Sequence, residues 1–178
     1  MEVFNIAITG NVGAGKTSFI KTISEIEVVS TEKKASDEVS SLKQDTTVAL
    51  DFGRLTLNKD QVLYLYGTPG QSRFDFMWDI IIEKAHAYIL LVDAHRPQDF
   101  HSCRRILNFM RSKVDLPMLI GLTHADCEGA WQAEDIALAL GLKNPQRRPN
   151  IITVNASDAS SVAQSLICLL EQLMTARV

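Results

Sequence analysis

The sequence predicts an α/β fold: a mostly parallel six-stranded sheet with one antiparallel edge strand and helices on both faces. Three observations carry this expectation. Short apolar runs alternate at nearly even spacing with segments of helical period, a glycine-rich stretch follows the first run directly, and two β-rich segments stand either side of Asn58-Lys59-Asp60. The 178 residues contain no linker or repeat, so one compact domain over residues 1–178 is expected.

Taken in order, Val3 to Thr9 reads as a buried first strand, and Lys16 to Glu25 as a helix with Phe19, Ile20 and Ile23 on one face. Ser30 to Gln44 is almost entirely Ser, Thr, Lys, Glu and Asp, which predicts a mobile surface loop. Thr47 to Leu57 and Gln61 to Tyr66 pair as an antiparallel hairpin at the sheet edge. Then follow Ala85 to Asp93 as strand, Pro97 to Lys113 as helix, Pro117 to Thr123 as strand and Ala130 to Leu140 as helix. Asn150 to Asn155 reads as the last strand and Ser157 to Thr175 as the last helix. Gly141 supplies a helix stop, and the Ser157/Asp158 pair supplies a cap. Trp131 is expected to open its helix as a core residue.

Composition narrows the function. Eighteen Lys and Arg against 21 Asp and Glu leave a formal charge of −3, without the basic excess that holds a nucleic-acid backbone. Cys103, Cys127 and Cys168 are far apart and form no C-x-x-C pair, as expected of structural thiols in a reducing compartment. His86, His95 and His101 have no metal-ligand spacing and are expected to serve packing or surface. The longest apolar run, Ala87 to Val92, is far too short to span a bilayer. Glu2 stands where myristoylation needs glycine and the last residues hold no prenylation cysteine, so a cytoplasmic protein without a membrane anchor of its own is expected.

Gly10-Asn11-Val12-Gly13-Ala14-Gly15-Lys16-Thr17 fits G-x-x-x-x-G-K-[ST] between an apolar strand and a helix. In that pattern successive backbone N–H groups converge on phosphate oxygens, the lysine brings a point charge to the β and γ groups, and the hydroxyl of Thr17 serves Mg²⁺.

Beyond this loop the chain resembles the Ras-like small GTPases. The runs Thr47-Val48-Ala49-Leu50-Asp51-Phe52 and Gly67-Thr68-Pro69-Gly70-Gln71-Ser72-Arg73-Phe74 follow in that family's order and spacing. Ser24-Glu25-Ile26, the stretch from Thr46 to Gly53 and Tyr66 to Gln71 make it most similar to the bacterial branch encoded beside roadblock-domain proteins, to which the gliding-motility polarity GTPase is related. The resemblance implies a P-loop, Ras-like G domain that binds GTP or GDP with Mg²⁺, hydrolyses GTP slowly and acts as a molecular switch in signal transduction. It further implies a roadblock-domain regulator and effector binding through the switch loops. Nucleotide contacts would run through Asn11, Val12, Gly13, Ala14, Gly15, Lys16, Thr17 and Ser18. Thr47 would close on Mg²⁺ and the γ-phosphate, the N–H of Gly70 would meet that phosphate, and Gln71 would orient the attacking water. Lys16, Thr47 and Gln71 are thus the implied catalytic set, with Thr17 and Thr47 on the metal.

Several positions depart from the wider family. Gly67 stands where most relatives have an aspartate that holds Mg²⁺ through water, which implies weaker metal retention unless another carboxylate, such as Asp51, substitutes. Val12 stands where Ras has glycine, and its branched side chain crowds the space an inserted arginine would use. No arginine precedes Arg54, so the transition-state charge falls to Arg73 or to a partner's arginine. Slow hydrolysis is the expected result. The apolar cluster Phe74-Asp75-Phe76-Met77-Trp78 after the second switch is read as core that also offers a partner contact.

Thr123-His124-Ala125-Asp126 takes the place of the family's Asn-Lys-x-Asp. A carboxylate at Asp126 accepts both the ring N1–H and the exocyclic amine of guanine, whereas adenine presents an acceptor at N1. Thr123 replaces an amide that bonds the base and buttresses the phosphate loop, and His124 replaces a lysine that covers the ring, so reduced affinity is expected. Asn155-Ala156-Ser157 matches the family's last loop, with a backbone N–H for the guanine O6. Two further readings stand beside the GTPase. One is a nearly inert nucleotide-binding interaction module. The other is an ATP-using P-loop kinase or ATPase with Asp93 as the metal-binding acid.

Overall fold

The computed structural model describes residues 1–30, 51–69 and 76–177. β1 (Glu2–Gly10) leads into α1 (Lys16–Ile23), and β2 (Val29–Ser30), β3 (Asp51–Asn58) and β4 (Gln61–Gly67) follow. Next come α2 (Phe76–Lys84), β5 (Ala87–Asp93), a 3₁₀ turn (Pro97–Asp99) and α3 (Phe100–Lys113). The remainder comprises β6 (Met118–Thr123), α4 (Ala133–Ala139), β7 (Asn150–Thr153) and α5 (Ala159–Ala176).

The strands form one sheet in the order β2-β3-β4-β1-β5-β6-β7. β4, β1, β5, β6 and β7 are parallel neighbours, and β3 joins β4 antiparallel. These are the six expected strands in their expected sense. Val29 and Ser30, not anticipated from the sequence, pair with Phe52 and Asp51 and add a two-residue strand at the edge.

Every residue of β5 is buried because helices cover both faces of this central strand, which is why it reads as an unbroken apolar run. One face packs against α2, α3 and α4, with Ile106 and Met110 of α3 among its core residues. The other packs against α1 and α5, where Phe19 and Ile20 meet Leu166 and Leu169. The helix α5 begins on Asp158, whose carboxylate accepts the N–H of Ser161 at 2.9 Å, and Gly141 follows α4 in a left-handed conformation.

The differences from the sequence reading have local causes. The first helix stops at Ile23 because Ser24 turns extended and its hydroxyl accepts the N–H of Arg54 on β3 at 3.1 Å. The fourth helix starts at Ala133 rather than Ala130, because the N–H groups of Ala130 and Trp131 bond to the carbonyls of Cys127 and Ala94. Trp131 is therefore not a core residue within a helix. It is 43% exposed and stands edge-on to Phe100. The helix α2 was not anticipated, although Met77, Trp78, Ile81 and Ile82 bury one face of it. Residues 31–44 of the polar segment, the strand start at 47–50 and the segment 70–75 lie outside the described residues. Among the described residues, no helix is long and apolar enough to cross a membrane.

Candidate functional site

Parallel register sets Ile8 beside Gly67, Gly10 beside Leu91 and Asp93 beside Thr123. The loops leaving β1, β4, β5 and β6 therefore share the carboxyl edge of the sheet, where open parallel α/β sheets hold their ligands.

The loop after β1 is closed by the N–H of Ala14 on the carbonyl of Asn11 at 3.1 Å. Gly15 caps α1 at φ 104°, a left-handed value that side chains rarely adopt. A Cβ on Gly15 would stand 3.2 Å from the Cβ of Ala156 and 3.7 Å from Cγ2 of Thr123. Glycine thus lets the phosphate loop lie directly against two later loops. Lys16 is buried, and its ammonium donates to the carbonyls of Gly10 and Asn11 at 2.6 and 2.8 Å. Val12, Gly13, Lys16, Thr17 and Ser18 line a cleft of about 250 Å³ together with Asp51, Thr68 and His124. A cationic head and the N-terminus of α1 in one cleft make a place for phosphate.

Across the cleft, Thr17 Oγ1 donates to Asp51 Oδ2 at 2.5 Å. Asp51 is 7% exposed, and its second carboxylate oxygen is buried with no hydrogen-bond partner among the described residues. A threonine hydroxyl beside a carboxylate with an unsatisfied oxygen is a hard-oxygen donor set of the kind Mg²⁺ takes with phosphate oxygens and water, so these residues fit that ion. Asp93, the acid that an ATPase reading assigns to the metal, has other partners. Its Oδ1 accepts the N–H of His95 at 2.9 Å, and its Oδ2 lies 3.1 Å from Nδ1 of His124.

On the base side, Thr123 is buried and its hydroxyl donates to the carbonyl of Ala14 at 2.7 Å. The hydroxyl thus buttresses the phosphate loop from the position where an amide was missed. His124 adopts a left-handed φ of 54°, and the N–H of Cys127 bonds back to its carbonyl at 3.1 Å, which closes a turn around exposed Asp126. Thr22 of α1 donates to the carbonyl of Ala156 at 2.6 Å, and the side-chain oxygen of Asn155 accepts the N–H of Ser157 at 3.1 Å. Thr47, Gly70, Gln71, Arg73 and Phe74 lie outside the described residues.

Arg96, which the sequence reading missed, and Trp78, which it read as part of an apolar cluster, stand at this edge. The guanidinium of Arg96, paired with Asp99 at 3.0 Å, lies beside the phosphate loop, with one nitrogen 4.0 Å from where a Cβ on Gly13 would be. The indole N–H of Trp78 donates to the carbonyl of Pro69 at 3.1 Å, and the side chain is buried in the core. The signal for Trp78 was its place at helical spacing from Ile81 and Ile82; Arg96 left none.

Residues 26–176 match the model of a family described as "Conserved hypothetical ATP binding protein". The structure of the Arl6 (BBS3) small GTPase from Trypanosoma brucei with bound nucleotide analogue GppNp superposes with a TM-score of 0.70 at 16% identity, covering 98% of this chain and 99% of that one. The fold is that of a small GTPase. Among curated proteins, the chain is 28% identical over 92 residues to the uncharacterized protein MJ1339 of Methanocaldococcus jannaschii, covering 51% of each. It is 28% identical over 120 residues to Ras-related protein Rab-32 of Sus scrofa, covering 65% of this chain and 48% of that protein. It is 24% identical over 147 residues to ADP-ribosylation factor-like protein 8b of Arabidopsis thaliana, covering 80% and 72%. The chain spans about half the length, or less, of the first curated relatives it matches.

Proposed function

The chain belongs to the family described as conserved hypothetical ATP-binding proteins, and within it we propose a small guanine-nucleotide switch that hydrolyses GTP slowly to GDP and phosphate. One observation carries this reading. The hydroxyl of Thr123 ties the phosphate loop to the loop that presents Asp126, so a phosphate cradle and a guanine-reading carboxylate are joined by a 2.7 Å bond.

Lys16 and the amides at the start of α1 hold the β- and γ-phosphates. Thr17, with Thr47 from the first switch, would hold Mg²⁺, which when bound neutralises charge on those phosphates. Gln71 orients a water on the γ-phosphorus. The water oxygen forms the new bond, the bond from γ-phosphorus to the bridging oxygen breaks, and the water proton ends on the released phosphate. Arg96 beside Gly13 supports charge stabilisation from within the chain, although its pairing with Asp99 keeps it directed at that carboxylate. Val12, 58% exposed at the cleft, supports slow turnover by obstructing an inserted arginine. Loss of the γ-phosphate releases the switch segments, which is the output. A roadblock-domain regulator at the second switch belongs to the same proposal, supported by Ile80, half exposed on α2 just beyond that segment.

The family's description favours ATP as the alternative ligand. Calorimetric titration of nucleotide-stripped protein with GDP, a non-hydrolysable GTP analogue and an ATP analogue, each with Mg²⁺, separates the two. Guanine nucleotides are expected to bind at least about tenfold, or roughly 1.4 kcal/mol, more tightly, and Asp126→Ala is expected to erase that margin. ATP binding as tight as GTP, unaffected by Asp126→Ala, would overturn the assignment.

A further inference from the structure

We propose that Asp51, on β3, is the anionic partner of the nucleotide's Mg²⁺, occupying the space left by Gly67 on the neighbouring strand; this rests on the nucleotide reading above and deepens it. Asp51 and Gly67 are directly opposed in the antiparallel register of β3 and β4. A Cβ on Gly67 would stand 3.1 Å from the Cβ of Asp51, 3.5 Å from its Oδ2 and 3.1 Å from Cδ1 of Ile20. The two positions share one space, and Asp51 fills it.

Three features of Asp51 point to a cation. Its Oδ2 shares a 2.5 Å hydrogen bond with the hydroxyl of Thr17, the phosphate-loop residue whose oxygen serves Mg²⁺ in this motif. Its Oδ1 is buried without a hydrogen-bond partner among the described residues, a costly state for a carboxylate oxygen unless a ligand completes it. The side chain also lines the phosphate cleft itself. The other carboxylate at this edge, Asp93, already accepts from His95 and faces His124. An anionic oxygen near a hydrated Mg²⁺ fixes its waters and raises its retention.

The test follows release of a fluorescent GDP analogue across a series of free Mg²⁺ concentrations. Wild-type protein is expected to release nucleotide more slowly as Mg²⁺ rises. Asp51→Asn, which keeps the shape but loses the charge, should move the midpoint at least about tenfold higher, with each protein's release in excess chelator as its own baseline. The exchanged pair Asp51→Gly with Gly67→Asp should bring the midpoint back to within about threefold of wild type. An unmoved midpoint in Asp51→Asn, with a shifted one in Thr17→Ala, overturns the proposal and leaves the nucleotide reading intact. If Asp51→Asn does not fold, the exchanged pair decides: Mg²⁺-dependent retention supports the proposal and its loss overturns it. The same series with a fluorescent ADP analogue separates the two claims. Retention of ADP in place of GDP defeats the guanine reading while the Asp51 shift is still read. Retention of neither nucleotide defeats both.

Discussion

At Thr123 a single hydroxyl connects two halves of the candidate site. Its donation to the carbonyl of Ala14 joins residues 109 apart in sequence, and both groups are removed from water. Thr123→Val keeps the volume and deletes the donor, leaving a buried carbonyl unsatisfied. The expected cost is about 1–3 kcal/mol in a urea-unfolding measurement. Guanine and adenine nucleotides should weaken together in the same variant, because the phosphate loop and not the base reader is disturbed. That pattern distinguishes Thr123 from Asp126, whose loss should affect guanine alone. The sequence offered Asp126 as a candidate base reader, whereas the buttressing by Thr123 was not legible in it. A threonine in place of an amide looked like a loss until its neighbour across the loop was known.

Among the elements, the contact of α1 with β3 sets the position of the side of the cleft where Thr17 meets Asp51. Gly53 on β3 faces Ile20 and Ser24 so closely that a Cβ there would lie 2.5 Å from Cγ2 of Ile20. Gly53→Ala should therefore push α1 away and destabilise the protein by about 1–3 kcal/mol in chemical denaturation. Because Thr17 is on that helix and Asp51 is two residues before Gly53, the same variant should also loosen nucleotide retention. Strand positions and helix faces were largely readable, since period-2 and period-3.6 patterns are local. The helix α2 escaped because its apolar face begins inside the cluster after the second switch, where Met77 and Trp78 read as a patch rather than as the first turn of a helix. The start of α4 was misplaced because the turn bonds of Ala130 and Trp131 go to Cys127 and Ala94, and the bond to Ala94 is made across the fold.

For the molecule as a whole, the core under α3 contains two groups whose ionisation opposes folding. Burial pushes the Cys103 thiol up to about 12, and it likewise pushes the Tyr88 phenol up to about 12. Both groups are neutral in the fold and ionise at lower pH once unfolded, at about 9 and 10 respectively. Their contribution to stability is present in full below about pH 9 and is lost as pH rises through about 12. Equilibrium unfolding followed from pH 8 to about pH 11.5 should show a steep alkaline decline, with Cys103→Ala removing the part of it that begins near pH 9.

The amino-acid sequence by itself determined the strand–loop–helix that cradles phosphate, the run of parallel strands that carries it and the presence of a carboxylate suited to guanine. These follow from residue spacing within one segment, where periodicity and motif are local properties of the chain. The tertiary structure alone decided that Asp51 stands on Thr17, that Thr123 holds Ala14, and that Asp93 faces His124. Each is a pairing between side chains or loops on different strands, set by sheet register and helix packing, and a one-residue shift in either would separate the partners.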